Sequence, residues 1–218
     1  MKIGILGTGV VGNTIGSALI ANGHMVMMGS RTNNNPKASE WVTKSGTKAS
    51  QGTFSDAAAF GEIIFNCTKG EYTLEALKLA GHANLSDKIL IDISNSLDFS
   101  KGMPPTLSIV NDNSLGEEIQ RLLPKTKVVK TLNTLTCNLM VNPKLVNGGD
   151  HDIFVCGNDP EARAIVTNFL SDNFGWEKNH IIDLGDITNS RGTEQLLPIW
   201  IRLMQHMGTA MFQFKIVK

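Results

Sequence analysis

Short apolar runs alternate with amphipathic stretches along the chain, a pattern that predicts strand–helix–strand units around a parallel sheet. Residues 2–6 read as a first strand, residues 13–22 as a helix and residues 24–29 as a second strand. In that helix Ile15, Ala18 and Leu19 share one face, and Gly23 stands just beyond its end as a cap. Further strands are expected at 47–50, 62–67, 88–93 and 127–132, with helices at 53–60 and 72–80. Residues 96–114, with Gly102 and Pro104-Pro105, read as a loop. Residues 117–123 read as a short helix stopped by Pro124.

Beyond Thr134 the texture changes. Residues 137–150 are loop-like, with Pro143 and Gly148-Gly149, and 151–156 form a compact strand. Asp159-Pro160 then opens a helix, with Asp as N-cap and Pro at the first helical position. Residues 180–184 read as another strand, and 193–207 as an apolar helix offset or kinked by Pro198. The expected fold is α/β: a doubly wound parallel sheet over residues 1–134, with a small α/β C-terminal extension over 135–218.

Charge and composition change this picture only by exclusion. Lys plus Arg is 20 and Asp plus Glu is 20, so the chain has no surplus of positive charge. Surfaces built to grip nucleic acid or an acidic membrane need that surplus. No apolar run is long enough to cross a membrane. Three scattered cysteines form neither a disulfide framework nor a zinc-ligand spacing. The first residues lack the pattern of a secretory leader, so a reducing, cytoplasmic setting is expected. Arg121, Lys125, Lys127 and Lys130 cluster in sequence and read as a solvated turn and strand edge.

One motif carries chemistry. Gly7-Thr8-Gly9-Val10-Val11-Gly12 fits G-x-G-x-x-G between a predicted strand and a predicted helix. That context makes it a dinucleotide-binding fingerprint of the Rossmann type. Gly7 permits the tight turn, Gly9 lets backbone approach a pyrophosphate, and Gly12 lets helix and strand pack closely. Amides at the helix start attract phosphate. The second strand ends in Gly29-Ser30-Arg31-Thr32, with no acid before Glu40. A carboxylate there would bind a ribose 2′-hydroxyl and repel a 2′-phosphate. Arg31, helped by Ser30, Thr32 and Lys37, would hold a 2′-phosphate, so NADP(H) is expected over NAD(H). Ligands of open α/β sheets sit at the carboxyl ends of the strands. That rule adds Thr68 and Asn133 as cofactor candidates, and the segment 92–95 as a third strand end.

The remaining signals are weaker. Of the five histidines, His151 is the best acceptor-side candidate, because it precedes a strand beside Gly148-Gly149. Met204, Met207 and Met211 recur on the last helix, where they suit a core, a homodimer interface or a flat ring.

Together these residues resemble the NADPH-dependent reductases of the deazaflavin coenzyme F420. The likeness runs from residues 1–31 through Val129-Lys130-Thr131-Leu132-Asn133-Thr134 and the turn from Phe154 to Pro160, to residues 183–194 with Asn189-Ser190-Arg191. The NADPH-reductase domain of membrane ferric reductases is also similar. The resemblance implies NADPH lying on the Rossmann part, contacted by Thr8, Val10, Val11, Ser30 and Arg31. It also implies an F420 or flavin ring stacked against the nicotinamide, with Asn133 touching a ring and Ser190 near the small-molecule hydride acceptor. Direct hydride transfer needs alignment rather than a catalytic acid or a metal, and none is visible. Two other readings remain open: a reductase of small carbonyls or imines, and an NADP(H)-binding redox sensor without turnover.

Overall fold

The structure, a computed structural model, describes all 218 residues. β1 (Lys2–Leu6), α1 (Val10–Ala21) and β2 (Met25–Ser30) form the first strand–helix–strand unit. α2 (Pro36–Ser45), β3 (Ala49–Thr53), α3 (Phe54–Phe60), β4 (Ile63–Asn66), α4 (Gly70–Ala80), α5 (His82–Leu85) and β5 (Ile89–Asp92) follow. The segment expected to be a loop holds a small antiparallel ladder, β6 (Leu97–Asp98) against β7 (Thr106–Leu107). Then come α6 (Leu115–Leu122), β8 (Lys127–Thr131), α7 (Cys137–Val141), β9 (Ile153–Cys156), α8 (Pro160–Phe174), β10 (Ile181–Asp183), α9 (Ser190–Gln195) and α10 (Leu197–Met207).

Eight strands form one sheet in the order β10-β9-β8-β5-β4-β1-β2-β3. The six strands from β3 to β8 run parallel in the Rossmann order. β9 pairs antiparallel with β8, and β10 pairs parallel with β9. The doubly wound parallel sheet expected over residues 1–134 is present, and the one antiparallel step lies where the C-terminal residues join it. Both strands of residues 135–218 therefore continue the main sheet.

Strand pleating sends alternate residues to opposite faces. Ile3, Ile5, Phe65, Ile91 and Val129 meet α1, α2, α7 and α8 on one face, while Leu6, Ile64, Leu90 and Val128 meet α3, α4, α5 and α6 on the other. A separate small cluster joins Leu197, Trp200 and Ile201 of α10 to Leu97, Leu107 and the C-terminal Phe212 and Phe214.

Local chemistry explains where the elements begin and end. α1 starts at Val10, three residues earlier than the apolar stripe suggests, because Gly9 serves as its N-cap. α2 has no strong apolar stripe, yet Asn35 caps it by accepting from the Lys37 and Ala38 amides, and Pro36 stands at its start. The last predicted helix is two, broken at Leu196. Pro198 has no N–H to donate to Glu194 O four residues back.

Candidate functional site: a cleft at the carboxyl edge of the sheet

The glycine loop is shaped by close contacts. The Gly7 amide donates to Gly29 O at 3.0 Å, tying the loop to the end of β2. Gly7 has φ +121°, and a Cβ there would lie 2.7 Å from Cys67 O. At Gly12 a Cβ would lie 2.4 Å from Gly7 O, so helix and turn meet at a distance only glycine allows. Gly9 faces open space, with nothing within 4 Å of the same built atom. The amides of Val10, Val11 and Gly12 precede the first intrahelical donor of α1, Asn13, whose N–H reaches Gly9 O. The Asn13 side chain also braces the loop, donating to Thr8 O at 3.2 Å and Gly9 O at 3.1 Å.

Beside this loop lies a cavity of about 590 Å³, lined by Gly7, Thr8, Gly9, Ser30, Arg31, Thr32 and, from the end of β4, Thr68 and Lys69. Ser30 is buried and bonds within its own turn: its hydroxyl donates to Thr32 O at 2.6 Å and accepts from the Thr32 amide at 3.2 Å. It fixes the turn that presents Arg31 and Thr32. Arg31 is exposed and makes no ion pair or side-chain hydrogen bond, so its guanidinium is free for a ligand. Lys37 does not line this cavity. It lies across the loop in a separate groove of about 720 Å³ between α1 and α2, which also exposes Val10. Val11 turns inward and packs against the core.

Thr68 also lines a second, smaller cavity of about 160 Å³ with Ser94, Asn95, Leu97 and Phe99. The Thr68 hydroxyl lies 2.7 Å from Asn66 Oδ1, to which it donates, and 2.8 Å from the Thr73 hydroxyl. Asn133 is buried and locked in a reciprocal pair: its amide donates to Asn95 Oδ1 at 2.9 Å, and the Asn95 amide donates to Asn133 O at 2.9 Å. The structure thus brings the glycine loop, the 30–32 turn and Thr68 together, with Asn133 behind Asn95 at the far end.

The acceptor-side candidates lie outside the two cavities lined by Thr68. His151 is buried, with Nε2 2.9 Å from Pro143 O and its ring edge-on to Trp176. Ser190 is buried between Ser114 and Ile187 O, 2.6 Å and 2.5 Å away. Both side chains are buried among neighbours of the fold. Met207 is exposed at the end of α10.

Lys130 is the largest departure. β8 is an inner strand, and Lys130 is fully buried, 2.7 Å from Asp92 Oδ2 and 2.8 Å from Glu194 Oε1. Burial works against its ammonium, but the two carboxylates outweigh it and hold the pKa above that of an ordinary lysine. Burial, with the Asp92 charge behind it, pushes the Cys67 thiol well up, which disfavours the thiolate form. No group of acidic, histidine or cysteine side chains is arranged to hold a metal. No helix is long and apolar enough to cross a membrane.

A Rossmann sheet whose glycine loop and unpaired arginine line one cavity, with free helix-start amides following the loop, defines a dinucleotide-binding protein. Known proteins make the class specific. The family profile described as NADP oxidoreductase, coenzyme F420-dependent, matches residues 2–96. The F420-dependent NADP reductase of Methanocaldococcus jannaschii is 32% identical over 93% of this chain and 92% of its own. Metalloreductase STEAP3 of Rattus norvegicus is 28% identical over 91% of this chain, which spans 38% of that protein. A crystal structure assigned as an F420-dependent NADP reductase, from Arthrobacter sp. FB24, superposes with TM-score 0.93 at 49% identity over the whole of both chains. The reductive aminase of Aspergillus terreus shares the fold, at TM-score 0.66 and 18% identity. The chain belongs to the F420-dependent NADP oxidoreductase family and is an NADP(H)-dependent oxidoreductase.

Proposed function

We propose that this protein transfers hydride between NADP(H) and a deazaflavin of the F420 type, with a flavin as the related alternative acceptor. The observation that carries the cofactor half is the free guanidinium of Arg31 in a cavity whose β2 end offers no carboxylate. The residues fit the cofactor. The open space over Gly9 leaves room for a pyrophosphate beside the Val10, Val11 and Gly12 amides. Arg31 and Thr32, set by Ser30, hold the 2′-phosphate. Thr68 lines both this cavity and the smaller one, and Asn133, through Asn95, backs the far end.

When bound, NADPH supplies the hydride, and the protein supplies its placement. Donor and acceptor carbons must come within about 3–3.5 Å in aligned geometry, a requirement met by rigid walls rather than by an acid or base. Residues 1–134 form the nucleotide half in this reading, and 135–218 help wall the acceptor side. The M. jannaschii relative's name supports the deazaflavin as acceptor.

The test is anaerobic NADPH oxidation with oxidised deazaflavin, FMN and ferric chelates as separate acceptors. Turnover with the deazaflavin is expected to exceed that with the others. NADPH binding without turnover on any acceptor would overturn the proposal in favour of a redox sensor.

A further inference from the structure

Three neighbouring strands carry a polar row where their neighbours in sequence are apolar. Asn66 of β4 pairs in register with Asp92 of β5, and Asp92 with Lys130 of β8. All three are fully buried, on the sheet face whose other strand residues meet α3 to α6. Each stands at or near the carboxyl end of its strand; the segments after Asn66 and Asp92 wall the two cavities, and the segment after Lys130 reaches them through the Asn133–Asn95 pair.

The row is completely bonded. Lys130 spends its three N–H donors on Asp92 Oδ2, Glu194 Oε1 and Ser94 O. Asp92 Oδ1 accepts from the Asn66 amide at 2.7 Å, and from the Ser94 hydroxyl and amide at 2.7 and 3.2 Å. Glu194, on α9, also accepts from the Leu115 and Gly116 amides, both at 3.0 Å, at the start of α6. Two branches leave the row toward the cleft. One runs through Asn66 to the Thr68 hydroxyl and the other through Ser94 to the neighbouring Asn95, locked to Asn133.

Apolar residues of similar size would often be at least as stabilising as such a buried cluster, so stability alone is a poor reason for it. What ion pairs add is direction, since each bond fixes where the next group points. We propose that Lys130, clamped by Asp92 and Glu194, is a positioning residue: it sets the ends of β4, β5 and β8, and through them the place of the nicotinamide end of NADPH. The clamp couples α9, outside both cavities, to the part of the cleft where hydride is exchanged. This inference rests on the cofactor reading above.

The test substitutes Glu194→Gln, because Glu194 touches Lys130 and the α6 amides but neither cavity. A second protein, Asp92→Asn/Lys130→Met/Glu194→Gln, removes the charges together and leaves no ion buried alone. Amide hydrogen exchange, NADPH binding and binding of the fragment adenosine 2′,5′-bisphosphate are measured on each, with single-turnover hydride transfer to a deazaflavin beside them. Exchange at residues 66–69, 93–96 and 131–134 is expected to rise about tenfold while residues 7–12 and 30–32 keep their protection. The fragment should bind as before. The hydride step should slow by about tenfold to a hundredfold, as small misplacements cost that much. Unchanged exchange in the three strand-end segments, or an equal rise everywhere with parallel loss of fragment binding, overturns the proposal. Absence of turnover in the unaltered protein would count against the acceptor reading alone, since the exchange and binding results do not depend on it.

Discussion

At the scale of single residues, the free arginine is the sharpest determinant. An arginine that meets a 2′-phosphate makes charge-assisted bonds absent with the unphosphorylated cofactor. Arg31→Ala is therefore expected to weaken NADPH by about 1.5–3 kcal/mol and to leave NADH nearly unchanged. Titration calorimetry with both cofactors checks this, and an equal loss for the two would show that Arg31 does not read the phosphate. A second single-residue prediction concerns acid. Glu117 accepts two bonds from Arg191, at 2.9 and 2.6 Å, and one from Ser114. The Arg191 hydrogen bond is the main reason that its pKa lies below the ordinary 4.5. A carboxylate with a lowered folded pKa stabilises fully above its unfolded value and loses that contribution as pH falls through the folded one. Glu117→Gln should thus lower the urea midpoint at neutral pH, and its gap from the unaltered protein should narrow as pH drops below 4.5. A gap constant with pH would contradict the linkage.

At the scale of elements, the glycine loop and α1 act as one piece. Gly12→Ala drives a methyl into Gly7 O, which is backbone and cannot swing aside. Overpacking of this kind costs about 1–3 kcal/mol. The expected result is a lower Tm together with weaker NADPH binding, read by thermal denaturation with and without cofactor. Full retention of both would mean that the loop relaxes. This unit was legible from sequence because its cause is local: a glycine spacing between an apolar run and a helical stripe. Other elements were less legible for equally physical reasons. α2 lacks a strong apolar stripe and rests on its Asn35 cap, on Pro36 and on the buried Trp41. β6 and β7 are two residues each and depend on α10 packing against Leu97 and Leu107. The burial of His151 and Ser190 was not legible, because burial by distant segments cannot be seen in their neighbours along the chain. Lys130 did carry a signal. A lysine inside Val128-Val129-Lys130-Thr131-Leu132 and an aspartate inside Ile89-Leu90-Ile91-Asp92-Ile93 are charges in strands otherwise fit for burial, and two such strands side by side call for pairing.

At the scale of the whole molecule, the sheet divides the work. Its carboxyl edge carries the glycine loop, the 30–32 turn, Thr68, Asn95 and Asn133, while both faces are covered by helices. The reversal at β9 has a consequence for how the protein is made. The six parallel strands are complete in the chain by Thr131, and Lys130 then has Asp92 as its partner but not Glu194. Until synthesis has passed β9, α8 and β10 and reached α9, the ammonium shares its site with one carboxylate, and the start of α6 lacks its acceptor. The six parallel strands thus precede in synthesis the helix that completes the Lys130 clamp, and on the positioning role proposed for that clamp the strand ends around the cleft are set only when α9 arrives.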